Sequence, residues 1–169
     1  YLDDEGSIFR KFDEKNDIVE LNSNLHKNGN WDNWNDKTSI KKFDIVLTNP
    51  PFGKNRSMKP ANTKEKERAE IYELWNIARD GQSIDKGLIF LENTVRILKE
   101  NGRFGIILSN SLASVETWKD AREWLTKNIR IVGLFDLPAN VFADTGVNAT
   151  IIIGYKPNKQ QLLKLNEKN

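Results

Sequence analysis

Phe43-Asp44-Ile45-Val46-Leu47-Thr48-Asn49-Pro50-Pro51-Phe52 is the stretch on which the fold turns. Its first six residues are apolar at nearly every position and rich in β-branched side chains. A run of that length and character predicts a strand buried on both faces, as in a parallel sheet. Two prolines then stop it abruptly, because neither can donate to a ladder. Residues 53–63, rich in Gly, Lys, Asn, Arg, Ser and Pro, read as a loop.

Working outward, residues 64–77 have helical spacing, with Ala69, Tyr72, Leu74, Trp75 and Ile77 as the apolar stripe and Gly81 beyond the end. Asp85 to Glu100 is the clearest helix. Leu88, Leu91, Val95 and Leu98 recur at three- and four-residue steps, and Ile89, Phe90 and Ile97 widen the stripe. Asn101-Gly102 is expected to stop it. Residues 103–108 read as a second buried strand, ended by Ser109-Asn110-Ser111. A third helix is predicted over 116–127, burying Trp118, Ala121, Trp124 and Leu125. Residues 129–137 form a strand closed by Pro138, residues 139–146 a loop, and residues 149–155 a final strand.

Strands alternating with helices predict an open α/β sheet. The last two strands have no helix between them. So short a connection cannot make a parallel crossover, so that pair should be antiparallel. Three segments follow: a poorly patterned stretch over 1–41, a catalytic part over 42–155, and a polar tail over 156–169 that is expected to fray.

Composition narrows the class without naming it. The chain has 169 residues, 38% hydrophobic and 30% charged, with a net charge of only +2. That balance is too weak to indicate nucleic acid by itself, so any case for DNA must come from motifs. There is no cysteine, which excludes disulfides and Cys-based zinc or iron–sulfur sites. The single histidine, His26, stands in a polar stretch and reads as a surface residue, so no metal site is expected. No run approaches a membrane span. The acidic start lacks the apolar core of a signal peptide. It also lacks Met and reads like the interior of a longer protein. A cytoplasmic location and no membrane partner are expected.

Ligands in open α/β sheets lie outside the carboxyl ends of the strands, and Asn49-Pro50-Pro51-Phe52 stands at such an end. The Asn49 side chain offers a carbonyl acceptor, and Pro50 offers a backbone carbonyl and no N–H. Held by a stiff Pro-Pro turn, those two oxygens suit the two hydrogens of a substrate –NH2. Accepting both draws the nitrogen toward pyramidal geometry and frees its lone pair for attack. The proton can leave after transfer. Phe52 supplies a flat face on which an aromatic base can stack. The plain alternative is a rigid strand end with a core Phe, and short motifs alone do not separate the two.

With Phe43 to Gly53, the chain resembles the amino-methyltransferase signature. It is similar more closely to the modification subunit of type I restriction–modification systems, the N6-adenine DNA methyltransferase family. Leu88-Ile89-Phe90-Leu91-Glu92 through Asn101-Gly102-Arg103 carries the likeness onward. Leu137-Pro138-Ala139-Asn140-Val141-Phe142 and Thr145-Gly146-Val147-Asn148-Ala149-Thr150-Ile151 extend it to about residue 155. The resemblance implies the C-terminal half of a Rossmann-like S-adenosylmethionine-dependent methyltransferase sheet, with an antiparallel last strand. It implies adenine flipped from double-stranded DNA, its amine held by Asn49 and Pro50 in the Asn49-Pro50-Pro51-Phe52 turn, with Phe52 stacking on the base. Phe142 is a candidate second contact to that base, or a loop aromatic plugging the core. Lys54 and Arg56, with Lys59, could meet phosphates; a solvated basic loop explains them equally.

The chain departs from the family at two places. The glycine-rich cofactor loop that precedes the catalytic block is absent, so the residues binding S-adenosylmethionine are expected upstream of Tyr1 and the isolated chain is expected to be inactive. Its only G-x-x-G, Gly102 to Gly105, lies inside a strand. Where relatives often carry Pro after the second strand, this chain has Ser109. The type I resemblance also implies a separate specificity subunit, with a nuclease subunit as a further candidate partner. Rival readings keep the amine chemistry on RNA or on a protein glutamine, or make the chain a non-catalytic assembly module. Glutamine enzymes usually carry Tyr where this chain has Phe52. Recognition sequence and oligomeric state are not legible.

Overall fold

A computed structural model of the chain describes residues 42–51, 57–114, 116–138, 141 and 148–166. The chain divides into two compact units, Tyr1–Lys42 and Phe43–Asn169, and every described strand and helix belongs to the second. They are β1 (Phe43–Thr48), β2 (Ser57–Met58), α1 (Thr63–Glu70), α2 (Glu73–Ala78), β3 (Ile84–Asp85), α3 (Lys86–Ile97), β4 (Leu98–Ser109), α4 (Ser111–Ser114), a 3-10 turn (Glu116–Trp118), α5 (Lys119–Asn128), β5 (Arg130–Asp136), β6 (Ala149–Tyr155) and α6 (Lys159–Asn166).

The main sheet has the order β1-β4-β6-β5. β1 runs parallel to β4, and β6 runs antiparallel to both β4 and β5. The expected antiparallel last strand is therefore present, and it is inserted between its two predecessors. Since β6 opposes both neighbours, β1, β4 and β5 all point the same way, as the α/β pattern requires.

One face of this sheet is built for burial. Phe104, Ile106 and Leu108 of β4 pair with Gly154, Ile152 and Thr150 of β6, and those three apolar side chains are at most 2% exposed. α3 packs on β1 and β4, and α2 lies on α3 and α5. Layers on two sides explain why Gly87 through Ile97 are all buried. Each fully buried Leu or Ile contributes about 1.5–3 kcal/mol to such a core. At Gly154 a Cβ would run into the Arg130 carbonyl and the Phe104 ring, so only glycine lets β5 and β6 approach there.

The opposite face differs from the expectation. Parallel pairing sets Ile45 and Leu47 beside Arg103 and Gly105, and they are 63% and 79% exposed. β1 is thus only half-covered on one face, at Val46 and Thr48, and open on the other. Phe135 and Ile153 are exposed as well.

The helix predicted over 64–77 is two helices, broken at Ile71-Tyr72. The cause lies in α3. The Glu92 carboxylate accepts from the backbone N–H of Glu73 at 3.0 Å and of Leu74 at 2.8 Å, which are the orphan donors of a new helix start. Arg96 pairs with Glu92 at 2.6 Å, donates to the Ile71 carbonyl at 2.7 Å, and lies over the Tyr72 ring. The pair is buried, 5% and 1% exposed at the side chains. A buried charge pair persists when its remaining hydrogen-bonding capacity is used, and here the backbone of the broken helix uses it.

α3 ends at Ile97, ahead of the predicted stop at Asn101-Gly102. Leu98 is already extended and pairs with Phe43. The helix-end carbonyls of Val95 and Leu98 accept from Lys156 Nζ at 2.7 and 3.3 Å, so no glycine cap is needed. Asn101 takes the left-handed conformation, φ 63°. Gly102 is needed for close approach: a Cβ there would stand 2.9 Å from the Lys99 carbonyl oxygen and 3.2 Å from that of Asp44. The segment expected to fray instead forms α6, started by reciprocal 2.9 Å bonds between Asn158 and Gln161, a capping-box arrangement.

Candidate active site

The carboxyl ends of β1, β4 and β5 share one edge of the sheet, and the start of β6 lies on that edge too. Thr48 pairs with Ile106, so Asn49 and Pro50 continue β1 alongside the last residues of β4. Asn49 is exposed, Pro50 buried and Pro51 half-buried. This division suits the predicted chemistry. The ring of Pro50 anchors the turn in the body, and the amide of Asn49 stands at the solvent side.

Phe52, Lys54, Arg56 and Phe142 lie outside the described residues; Lys59 is exposed. The chain leaving the turn is caught again at Ser57-Met58, which pairs antiparallel with Ile84-Asp85. This small sheet, not foreseen from the sequence, stands at the N-terminus of α3. Asp85 caps α3 by accepting from Gly87 N–H at 2.8 Å. A Cβ on Gly87 would come 3.0 Å from Leu108 Cδ2, so α3 starts tightly against the end of β4. Pro51 and Ser57, the described residues on either side of 52–56, therefore both belong to this edge.

A second polar group at this edge was not anticipated. Thr150 Oγ1, at the start of β6, lies 2.5 Å from Asn110 Oδ1 and 2.7 Å from Asp136 Oδ1. Backbone bonds accompany them: Asn110 N–H donates to the Asn148 carbonyl at 3.0 Å, and Leu137 N–H to that of Ala149 at 2.8 Å. Ser109, standing where relatives often have Pro, bonds the Ser111 hydroxyl at 2.9 Å and accepts from the Ser111 N–H. The turn thus has a hydroxyl closing it in place of a ring. Each of these residues has a sequence signal, a polar side chain directly at the end of an apolar run. Only the strand register reveals that three of them meet.

The lone G-x-x-G is spent on packing. The space at Gly102 is filled by backbone carbonyls and Leu98, and that at Gly105 by Leu47 Cδ2 at 3.0 Å. The described residues thus use both of these glycines for packing. Among them, no group of three or more His, Asp or Glu residues could hold a metal ion. No helix there is long and apolar enough to cross a membrane.

The profile of the Eco57I restriction-modification methylase family matches residues 3–142. The chain is 31% identical over 86 residues to the type II restriction enzyme and methyltransferase RM.Eco57I of Escherichia coli, a match covering 51% of this chain and 8% of the relative. Among solved structures, it superposes on a Listeria monocytogenes protein assigned to the class I S-adenosylmethionine-dependent methyltransferases, with a TM-score of 0.56, 18% identity, and 71% of this chain and 33% of that one covered. It also superposes on the type I restriction-modification system methyltransferase subunit of Streptococcus thermophilus, with a TM-score of 0.51, 25% identity, and 70% and 25% covered. The fold is that of the S-adenosylmethionine-dependent methyltransferases. The chain spans 8% to 21% of the length of the curated relatives it matches.

Proposed function

The chain belongs to the Eco57I restriction-modification methylase family, and from that premise we propose that it carries the amine-holding part of a methyl transfer from S-adenosylmethionine to the N6 amine of adenine in DNA. The observation that carries this reading is the Asn49-Pro50 turn at the carboxyl edge of a methyltransferase sheet, with Pro50 buried and Asn49 exposed. Asn49 Oδ1 and the Pro50 carbonyl accept the two amine hydrogens and make the lone pair available. The adenine is extruded from the duplex, since its amine cannot be reached inside the stack. Phe52 stacks on the base, and Phe142 is a second candidate for that contact. Lys54 and Arg56 meet the flanking phosphates.

S-adenosylmethionine supplies the methyl group when bound. The only G-x-x-G, Gly102 to Gly105, is filled by packing, so the cofactor's main binding loop is assigned to residues other than these. Calorimetry on the chain alone should show no binding at micromolar cofactor, and micromolar binding would place the cofactor site within the chain.

Restriction–modification context is supported by the family, and its type by less. The type I resemblance implies separate specificity and nuclease subunits, and the Streptococcus thermophilus likeness agrees with it. The Escherichia coli relative, by its name, is restriction enzyme and methyltransferase together. That favours a reading in which the nuclease belongs to the same polypeptide and no separate nuclease subunit is required. Action on RNA or on a protein glutamine would use the same turn, but the family match favours DNA over both, and over a non-catalytic assembly module.

The test is transfer of labelled methyl groups by the full-length protein offered DNA, RNA and protein in parallel. Label recovered as N6-methyladenine in DNA, and lost with Asn49→Ala, is the expected result. Label in RNA or protein would replace the substrate, and wild-type activity in Asn49→Ala would remove the turn from the reaction.

A further inference from the structure

The polar group at Thr150 holds more than the sheet requires. Its hydroxyl has one hydrogen, yet it lies within hydrogen-bond reach of two side-chain oxygens, Asn110 Oδ1 and Asp136 Oδ1. One hydrogen cannot serve both acceptors. Whichever oxygen takes the hydrogen, the hydroxyl stands between both side chains, and the three residues form one polar chain of amide, hydroxyl and carboxylate across the ends of β4, β6 and β5.

Two features suggest that this chain serves the reaction edge. It lies where backbone bonds already exist: Asn110 N–H on the Asn148 carbonyl and Leu137 N–H on the Ala149 carbonyl. It therefore adds little to pairing and much to the relative position of three strand ends. Also, β4 is the immediate neighbour of β1, so whatever fixes the end of β4 fixes the frame against which Asn49 and Pro50 stand. A side-chain network that locks its neighbours' geometry sets how well reacting groups are aligned, and misalignment costs rate rather than fold.

We propose that Thr150, acting through Asp136 and Asn110, is a positioning residue for the amine held at the Asn49-Pro50 turn. This rests on the reading that the turn holds a substrate amine. Thr150 touches no substrate in this proposal; it fixes the ends of β4 and β5 relative to β1.

The experiment compares Thr150→Val and Thr150→Ser in the full-length protein. Valine keeps the shape and removes the hydroxyl, and serine keeps the hydroxyl. Thr150→Val should lower kcat for methyl transfer about tenfold with KM for S-adenosylmethionine unchanged, and Thr150→Ser should restore most of it. Amide hydrogen exchange at Asn110 and Leu137 should quicken in Thr150→Val, with exchange at Ile106 unchanged. Equal kcat in wild type and Thr150→Val would overturn the proposal, and so would a serine variant as slow as the valine one. A loss spread over stability, cofactor KM and kcat alike would also overturn it, since that marks a structural role. If wild type transfers nothing to DNA, RNA or protein, the underlying reading fails and this role with it. If wild type transfers and only the valine variant is unaffected, the network alone is wrong.

Discussion

Two polar clusters of this protein use the same chemistry for opposite ends. The Glu92–Arg96 pair is sealed between α2 and α3, and its carboxylate and guanidinium bond the backbone of Ile71, Glu73 and Leu74. The Asn49-Pro50 turn stands at an open edge, with the asparagine exposed. In the first cluster, polar groups are committed to the fold. In the second, a buried proline holds an amide out toward whatever arrives. Buried polar groups must be satisfied internally, so a group reserved for a ligand is expected at the edge, on a rigid anchor.

Mutation should separate the two clusters cleanly. Asn49→Ala in the full-length protein is expected to lower methyl transfer by about a hundredfold or more, with the urea midpoint unchanged. A shifted midpoint would erase the contrast. Glu92→Ala removes the carboxylate that pairs with the buried Arg96 guanidinium and caps α2, and should destabilise by up to about 3–5 kcal/mol, read as a fall in urea midpoint. In conditions where the variant remains folded, its transfer rate should stay within a few fold of wild type. The weakest expected effect sharpens the comparison by exposure. Lys99 bonds both Asp44 oxygens at 2.8 and 2.9 Å, but the two side chains are 49% and 79% exposed. Lys99→Ala should therefore cost less than about 1 kcal/mol, screened by solvent. A cost as large as that of Glu92→Ala would mean that burial is not what distinguishes the pairs.

What was legible in the sequence was local. Strand β1 shows in its own six residues, and α3 in its own apolar spacing. The turn that ends β1 shows in two prolines. The antiparallel setting of β6 follows from a connection too short for a crossover. What escaped depends on residues far along the chain. Nothing between Lys64 and Ile77 announces a break at Ile71-Tyr72, because the break is imposed by Glu92 and Arg96 from another helix. Nothing near Ile97 announces the end of α3, because the ammonium that takes its last carbonyls is Lys156. The candidate site divides the same way. Asn49 and Pro50 are neighbours in sequence and could be read together, whereas Asn110, Asp136 and Thr150 become one group only through the register of three strands.

The exposed apolar side chains of β1 belong to the same lesson. Continuous hydrophobicity in Phe43–Thr48 predicts cover on both faces, and the structure half-covers one. The second requirement, visible in Ile45 and Leu47, is a property of the sequence that these elements do not by themselves discharge.

The place of β6 in the sheet has a consequence for biogenesis. It is the last of the described strands along the chain, yet it is a middle partner, standing between β4 and β5. As the polypeptide emerges during synthesis, β1 and β4 can pair at once, but β5 has no neighbour until Ala149–Tyr155 has been made. A message truncated between Asp136 and Ala149 would release a protein in which β4 and β5 each lack the edge partner that β6 supplies, the kind of surface that aggregates or draws in chaperones. Joining the halves of this sheet is therefore a late, all-or-nothing event, set by some seven residues near the end of translation of this region.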